Sequence, residues 1–521
     1  MKKIIALLLA ISTLAVCSAC GASGQSSGDP AQPPETDLTD DDRVPGSCSD
    51  PDSQPLTMFT ARDQQSYWAA EEMLCRVSWM QAALGAQEQM DLPELMDALE
   101  SMNFRCKSET EAYGKVLSAA AREDKSVGQL ESAYFRDDTL SVQRSDARAV
   151  SFLRRITAYQ GGIHPDSIYE GINLDTKTGR ALALSDVFRH PRKLPQLLEE
   201  KLLAQYPDAS FFDLSANLED MARQDTLVWV LGPHGVTFYF SPYALASFAD
   251  GLLTVTFPFT QDQLFRRAYL PEENCYVLPL LAGETSWADL EPEDGQEDSI
   301  CLDCIRGELS CQEFQITLND AVTHDFGFSE LQVQPYLAHH SRDGESRNYL
   351  YLSCMTENRR HTIYIYDLNG QRPRLTGQIN DSGFHETLID NTLWTEAFHH
   401  PGHFRLDTRF DLLSTVIGVR DYRVDFATGD ALPYEDNYAV DSPIVLKARQ
   451  AIPADILPLG GQEQLPPGTQ LRFLATDGAT FVDMETEKGR KCRIYVERTE
   501  QGDFINGIPF DQCLDGMVFT E

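Results

Sequence analysis

The residues able to do chemistry fall into three groups. Cys301-Leu302-Asp303-Cys304, with Cys311 nearby and Cys275 upstream, has the spacing of a zinc or redox site. A four-sulfur zinc site needs a second cysteine pair, and only Cys275 and Cys311 stand near enough to supply one. Disulfide pairing among Cys275, Cys301, Cys304 and Cys311 is the preferred expectation, with three connectivities open. Cys492 with Cys513 is a second candidate pair, worth ~3 kcal/mol to a small barrel. Cys75 with Cys106 is a third, joining an early strand to a helix. The histidine clusters are His339-His340 and His399-His400-Pro401-Gly402-His403. Neutral imidazoles ligate zinc or copper, but adjacent histidines on a strand face opposite ways and Pro401-Gly402 reads as a loop, so no metal is expected. The third group is Gly161-Gly162-Ile163-His164-Pro165. Its glycines imply a close backbone approach. His164 is then either a buried, hydrogen-bonded ring or a ligand contact, with Gly161 and Gly162, in a cleft beside Asp175 and Asp186. No Gly-x-Ser-x-Gly elbow, phosphate loop or nucleophile with a recognisable base occurs, so neither a catalytic residue nor a cofactor is expected.

The elements that must position these residues are legible in part. Leu95, Leu99, Met102, Tyr113 and Leu117 lie at helical spacing and predict a helix from near Asp91-Leu92-Pro93 to Ala121. Leu140 to Tyr159 reads as strand, and Ile168 to Leu184 as a hairpin around Asp175–Gly179. Leu194 to Tyr206 reads as helix. Gly232-Pro233-His234-Gly235 joins strands 227–231 and 236–240, and 252–257 is another strand. Residues 271–310 read as acidic and loop-like. Tyr349–Leu352 and Thr362–Tyr366 alternate as a hairpin. Short strands at 445–448, 470–476, 480–485 and 492–497, separated by Gly- and Pro-rich turns, suggest a small closed barrel.

The start of the chain gives an address. Lys2-Lys3, the apolar run Ile4–Val16 and Ser18-Ala19-Cys20 have the order of a secretory signal peptide. The run is too short to span a bilayer. Cys20 after two small residues resembles a bacterial lipobox, which implies lipidation of Cys20, cleavage before it and anchoring outside the cytoplasmic membrane, in a cell of the Gram-positive type. Residues 21–55 are rich in Ser, Gly, Pro, Gln and Asp and read as a disordered tether.

A longer pattern follows: Ser151-Phe152, Tyr159, Gly161–Pro165, Asn173-Leu174-Asp175, Thr178-Gly179, Leu182, Leu184–Phe188, Gly235–Phe240, Pro242-Tyr243, Ala249, Gly251 and Val255. It resembles the extracellular domain of lysozyme-sensing anti-sigma factors of the RsiV type, a family of unknown function also found ahead of the catalytic domain in some peptidoglycan deacetylases. The resemblance implies an α+β fold, a curved antiparallel sheet with packed helices, over residues 56–269, and it turns Met73–Leu84 from apparent helix into strand. The deacetylases' paired-aspartate strand and His-x-x-x-His motif are not found, nor the anti-sigma factors' transmembrane helix. An acidic linker over 270–310, a β-rich domain over 311–440 and an SH3-like β-barrel over 441–521 complete the expected organisation. The last rests on Leu465–Leu471, which looks like bacterial SH3-like domains.

The chain has 80 acidic against 43 basic residues, a net charge of −37. That argues against nucleic acid, whose phosphates need clustered Lys and Arg, and permits a basic protein partner such as lysozyme. The leading expectation is a non-enzymatic surface lipoprotein, held at the membrane by its lipid, that binds peptidoglycan or a basic extracellular protein. The alternative is a deacetylase-like hydrolase of wall polysaccharide using the His164 region. A third reading is a spacer that presents the terminal barrel.

Overall fold

The computed structural model describes residues 55–519, apart from 272–273, 291–296, 307–310, 343, 357–359, 459, 500–501 and the side chains of 305–312 and 325–332. Cys20, the signal segment and the expected tether up to residue 54 lie outside the described residues. None of the described helices is long and apolar enough to cross a membrane.

The first layer is a seven-stranded sheet. Strands β1 (Met58–Ala69), β2 (Glu72–Leu84), β3 (Tyr134–Ser145), β4 (Ala149–Tyr159) and β5 (Asp166–Asp175) stand side by side. Neighbours run antiparallel except β2 and β3, which pair parallel from Cys75↔Tyr134. The parallel pair needs a long crossover, and helix α1 (Pro93–Ser126) supplies it. Proline at its first turn suits the start of a helix. Gly128, at φ 72°, ends it in the left-handed conformation that favours glycine. Leu95, Leu99, Met102, Tyr113 and Leu117 are buried as their spacing predicts. The same face of α1 carries a polar stripe into an ion cluster on the sheet. Arg154, 2 % exposed, donates to Asp138 Oδ2 (2.5 Å), Glu109 Oε2 (2.9 Å) and Glu170 Oε2 (2.9 Å). Arg136 grips Asp138 through Nε and Nη2 (2.7 and 2.9 Å), and Arg105 reaches Glu170 (2.6 Å).

Helices α2 (Leu194–Gln205) and α3 (Leu214–Gln224) then cover a three-stranded sheet of β6 (Val228–Leu231), β7 (Gly235–Phe240) and β8 (Leu253–Pro258). Leu194, Leu198, Leu202, Leu214 and Leu218 bury against Trp229, Phe238, Val255 and Phe257. β6 docks on β5 through Asn173, which donates to Trp229 O (3.0 Å) and accepts from Leu231 N (2.8 Å). Gly171 permits this approach, since a Cβ there would lie 1.9 Å from Trp229 O.

The described part of residues 271–310, expected to be loop-like, carries three strands. They are β9 (Tyr276–Pro279), β10 (Ser286–Ala288) and β11 (Asp298–Arg306). With β12 (Cys311–Leu318), β13 (Ala321–Arg342), β14 (Glu345–Thr356), β15 (His361–Asp367) and β16 (Arg374–Asn380) these make a second sheet, in which β9 pairs with the end of β13. Two further strands, β17 (Glu386–Ile389) and β18 (Thr392–Glu396), return to the first sheet and extend it beyond β1. The expected terminal strands are present, but they join an open sheet with strands from 382–440 in place of a separate closed barrel: Tyr438 pairs with Thr476 and Ala439 with Ala475. Residues 56–269, 311–440 and 441–521 thus share sheets across their expected boundaries. Helices packed on antiparallel sheet give a β-rich α+β architecture.

Candidate functional site

The Gly161–Pro165 segment joins β4 to β5 at the surface. Gly161 (φ 85°) and Gly162 (φ 116°) hold backbone conformations that side chains resist. Tyr159 Oη donates to Gly162 O (3.2 Å). This geometry presents Ile163 fully to solvent. The His164 ring is partly exposed and stacks on Phe248, with centroids 3.7 Å apart and planes 16° apart. Phe248 contacts the exposed ring of Tyr243 at 5.6 Å. Beneath them, Asp250 Oδ2 accepts from Ser247 N (2.9 Å) and Oγ (2.5 Å), bracing the segment that carries Phe248. Asp166 Oδ1 lies 4.0 Å from His164 Nδ1. The product is a braced aromatic ledge with an acidic edge, suited to contact.

Asp175 and Asp186 are elsewhere. Asp175 ends β5, and a ten-residue strand at ~3.3 Å per residue holds it roughly 30 Å from His164. Asp175 Oδ1 accepts from Thr178 N (2.9 Å) and Lys177 N (3.1 Å), and Oδ2 accepts from Tyr269 Oη (2.8 Å). Burial alone would raise its carboxyl, but the Thr178 and Tyr269 hydroxyls outweigh that and hold it below the usual carboxylate value. Asp186 Oδ2 accepts from Arg180 Nη1 (2.8 Å) and Ala183 N (2.8 Å), and the Arg180 bond lowers it likewise. Both are turn and helix-start braces. The expected cleft uniting them with His164 is corrected by the length of β5.

The pairing expected of Cys75, Cys106, Cys301, Cys492 and Cys513 also needs correction. Cys75, Cys106, Cys301, Cys492 and Cys513 are free thiols. Cys75 Sγ points at Gly114 O (3.8 Å) of α1. Cys106 sits about two helical turns earlier, ~12 Å along the axis, beyond the Cα separation a disulfide spans. Cys492 and Cys513 share one apolar core, where Cys513 Sγ accepts from Gln450 Nε2 (3.3 Å). Cys301 and Cys304 lie on one strand, β11. Three residues apart, their side chains leave opposite faces, so they neither pair with each other nor chelate together. Cys275 and Cys304 are not among the free thiols, and the side chain of Cys311 lies outside the described residues.

A constellation the sequence did not reveal sits where the layers meet. Tyr276 of β9 pairs with His339 of β13. Its ring is sandwiched between His339 (4.7 Å, 15°) and His234 of the β6–β7 turn (5.3 Å, 23°). The 397–403 loop adds His399 and His400, and Val277 N donates to His399 O (3.1 Å). His340, the next residue along β13, leaves the opposite face from His339 and lies edge-on to Phe426 (5.3 Å). A cavity of about 70 Å³ beside Tyr276 is lined by Arg144, Asp146, Cys275, His399 and His400. The 397–403 loop thus lies against β9, and His234, from a turn that reads only as a turn, joins His339 at Tyr276. Among the described residues, no group of three or more His, Cys, Asp or Glu is placed to hold a metal ion.

Residues 185–260 match the family described as "Protein of unknown function (DUF3298)". The stretch covers α2, α3 and β6–β8 and includes Tyr243 and Phe248. Two solved structures are similar: a DUF3298 family member from Bacteroides fragilis (16 % identity, TM-score 0.31, covering 41 % of this chain and 94 % of that one) and one from Pseudomonas aeruginosa PAO1 (17 % identity, TM-score 0.28, 42 % and 98 %). No curated relative matches the chain.

Proposed function

We propose that this chain is a non-enzymatic, lipid-anchored extracytoplasmic protein that binds a basic extracellular protein through a surface shared by the β4–β5 connection and the DUF3298 stretch, as the RsiV-type sensors bind lysozyme. The supporting observation is the Ile163–His164–Phe248–Tyr243 ledge. Aromatic and apolar residues held rigid and exposed are the usual anchors of an interface. Asp166 and Asp250 edge the ledge, and the molecule's charge of −37 steers a cationic partner toward it. The lipid on Cys20 restricts the encounter to the cell surface, and the reading requires no cofactor or metal.

Binding of the mature chain to hen lysozyme and to soluble peptidoglycan fragments, at low and high salt, tests this. The expected result is lysozyme binding that weakens with salt and falls at least ~10-fold in Tyr243→Ala, the loss of one interface anchor. Binding to wall fragments alone, binding to neither, or lysozyme binding indifferent to Tyr243→Ala overturns the proposal. Mass spectrometry of the membrane-extracted protein for a diacylated Cys20, absent in Cys20→Ala, tests the anchor separately.

A further inference from the structure

The buried histidines carry the second inference. His234 and His339, from segments distant in sequence, both stack on Tyr276, while His340 leaves the other face of β13 and the His399 loop seats on β9 through Val277. His339 is 1 % exposed. Its Nδ1 is 2.8 Å from Asn348 Oδ1, and Asn348 Nδ2 donates to Leu290 O (2.8 Å), so the amide oxygen faces the ring and Nδ1 carries the proton. His399 Nδ1 likewise donates to Ala397 O (2.8 Å). Each ring therefore keeps a bare Nε2, and neither Nε2 has a partner. His340 Nδ1 and both nitrogens of His234 also lack one. Buried polar atoms without partners are rare and call for a reason.

The surroundings offer the rings little counter-charge. His234 and His339 both stack on Tyr276. His340 has His400, His339 and Arg342 nearby, with Asp425 the opposing acid. His399 has His400 and His403 nearby, with the Ala397 and Leu56 backbone opposing them. Asp289 lies near Tyr276. On the cavity wall, Asp146 is already engaged by Arg144 (2.6 Å). His403, by contrast, has Asp421 at 3.1 Å.

We propose that these histidines form an acid-opened latch, in which neutral His234 and His339 stacked on Tyr276 tie the β6–β7 turn to the β9–β13 pair, neutral His399 seats the 397–403 loop against β9, and protonation releases both contacts. The sign follows from the environment. Burial, then neighbouring imidazoles or Arg342, pushes His234 and His340 down to about 4. Burial brings His399 to about 4 against the pull of Ala397 O, and lowers His339 despite Asn348. An opened segment binds protons at the ordinary value near 6.5. The latch is thus fully closed above about 6.5 and loosens progressively as pH falls toward 4. The cavity beside Tyr276 gives water a place to reach His399.

Hydrogen exchange of the full chain at about pH 7.5 and pH 5, corrected for intrinsic rate, tests the proposal. Protection of 234–240, 276–279, 336–340 and 397–403 is expected to fall by at least ~10-fold, with α1 and β4 unchanged. The double variant His234→Gln/His339→Gln is expected to lose most of that pH dependence. Unchanged protection at pH 5, or a uniform loss across the molecule, overturns it. Because the variant can fail to fold, the wild-type histidine C2–H resonances are followed as well. Four rings that stay neutral below about pH 5.5 agree with the latch, and titration of every ring near 6.5 removes it.

Discussion

Two buried polar clusters stabilise this molecule by opposite means. Between α1 and the first sheet, Arg105, Arg136 and Arg154 meet Glu109, Asp138 and Glu170. Every charge has an opposite charge within hydrogen-bonding reach, and Thr110 Oγ1 adds a further donor to Asp138 (2.8 Å). Burial alone would raise Asp138 and Glu170, but the guanidinium groups outweigh it and hold both below their usual values. At the layer junction, the histidines are buried uncharged and leave ring nitrogens bare. The difference teaches where each cluster is vulnerable. The ion cluster is sensitive to losing a member; the histidine cluster is sensitive to gaining a proton.

The largest expected effect therefore comes from unbalancing the ions. Arg154→Met leaves Asp138, Glu109 and Glu170 short of their shared cation, and removing one partner of a buried pair costs about 3–5 kcal/mol. His339→Gln replaces one neutral polar group by another and is expected to cost ~1–2 kcal/mol at pH 7.5. Urea midpoints of the two variants measure the contrast. If Arg154→Met is no more destabilising than His339→Gln, the ion cluster is not a balanced unit.

Gly171→Ala comes next. It acts on neither cluster but on the seam between their layers. The added methyl meets Trp229 O and forces β6 off β5, at an overpacking cost of ~1–3 kcal/mol. Loss of the Asn173 bonds to β6 shows as faster exchange of Leu231 N. Stability unchanged from wild type argues that the two sheets are not held at this distance.

These clusters also mark what the chain's residues disclose and what they withhold. The buried stripe of α1 was legible because helical periodicity is local, and the β6–β7 pair because Gly-Pro-His-Gly is a local turn. The family resemblance rightly made Met73–Leu84 a strand. Residues 271–310 misled because acidic, Pro-containing sequence masks short strands whose partners lie far along the chain. The extension of the first sheet by β17 and β18 has no local signature. For the site, glycines 161 and 162 announced a special backbone, yet nothing local stated that β5 would carry Asp175 away from His164. His234 joins His339 only through the Tyr276 register, a fact of long-range pairing.

The pH response separates the clusters along one axis. For the histidines, the folded values lie below the unfolded one, so stability is complete above about 6.5 and declines as pH falls toward 4. Each ring contributes a slope of up to ~1.4 kcal/mol per pH unit in that window, reduced where solvent reaches it. Asp138 and Glu170 are also lowered, but as carboxylates their contribution is present above their unfolded values and is lost only below about 4.5. Urea midpoints from pH 7.5 to 3 are thus expected to fall in two stages. His234→Gln/His339→Gln flattens the first stage and leaves the second.

The smallest effect on stability belongs to the surface ledge, and that is its diagnostic value. Ile163 and Tyr243 touch solvent rather than core, so Ile163→Ser and Tyr243→Ala are expected within ~0.5 kcal/mol of wild type. Both clusters should remain intact, with the same two-stage pH profile. What changes is contact with the partner, since an exposed aromatic or aliphatic anchor contributes through the surface it buries on binding. A Tyr243→Ala chain that keeps its urea midpoint but loses lysozyme affinity assigns the ledge to recognition and the buried clusters to architecture. If instead its midpoint drops by 1 kcal/mol or more, the ring is part of the packing around Phe248, and recognition must be sought elsewhere on the acidic surface.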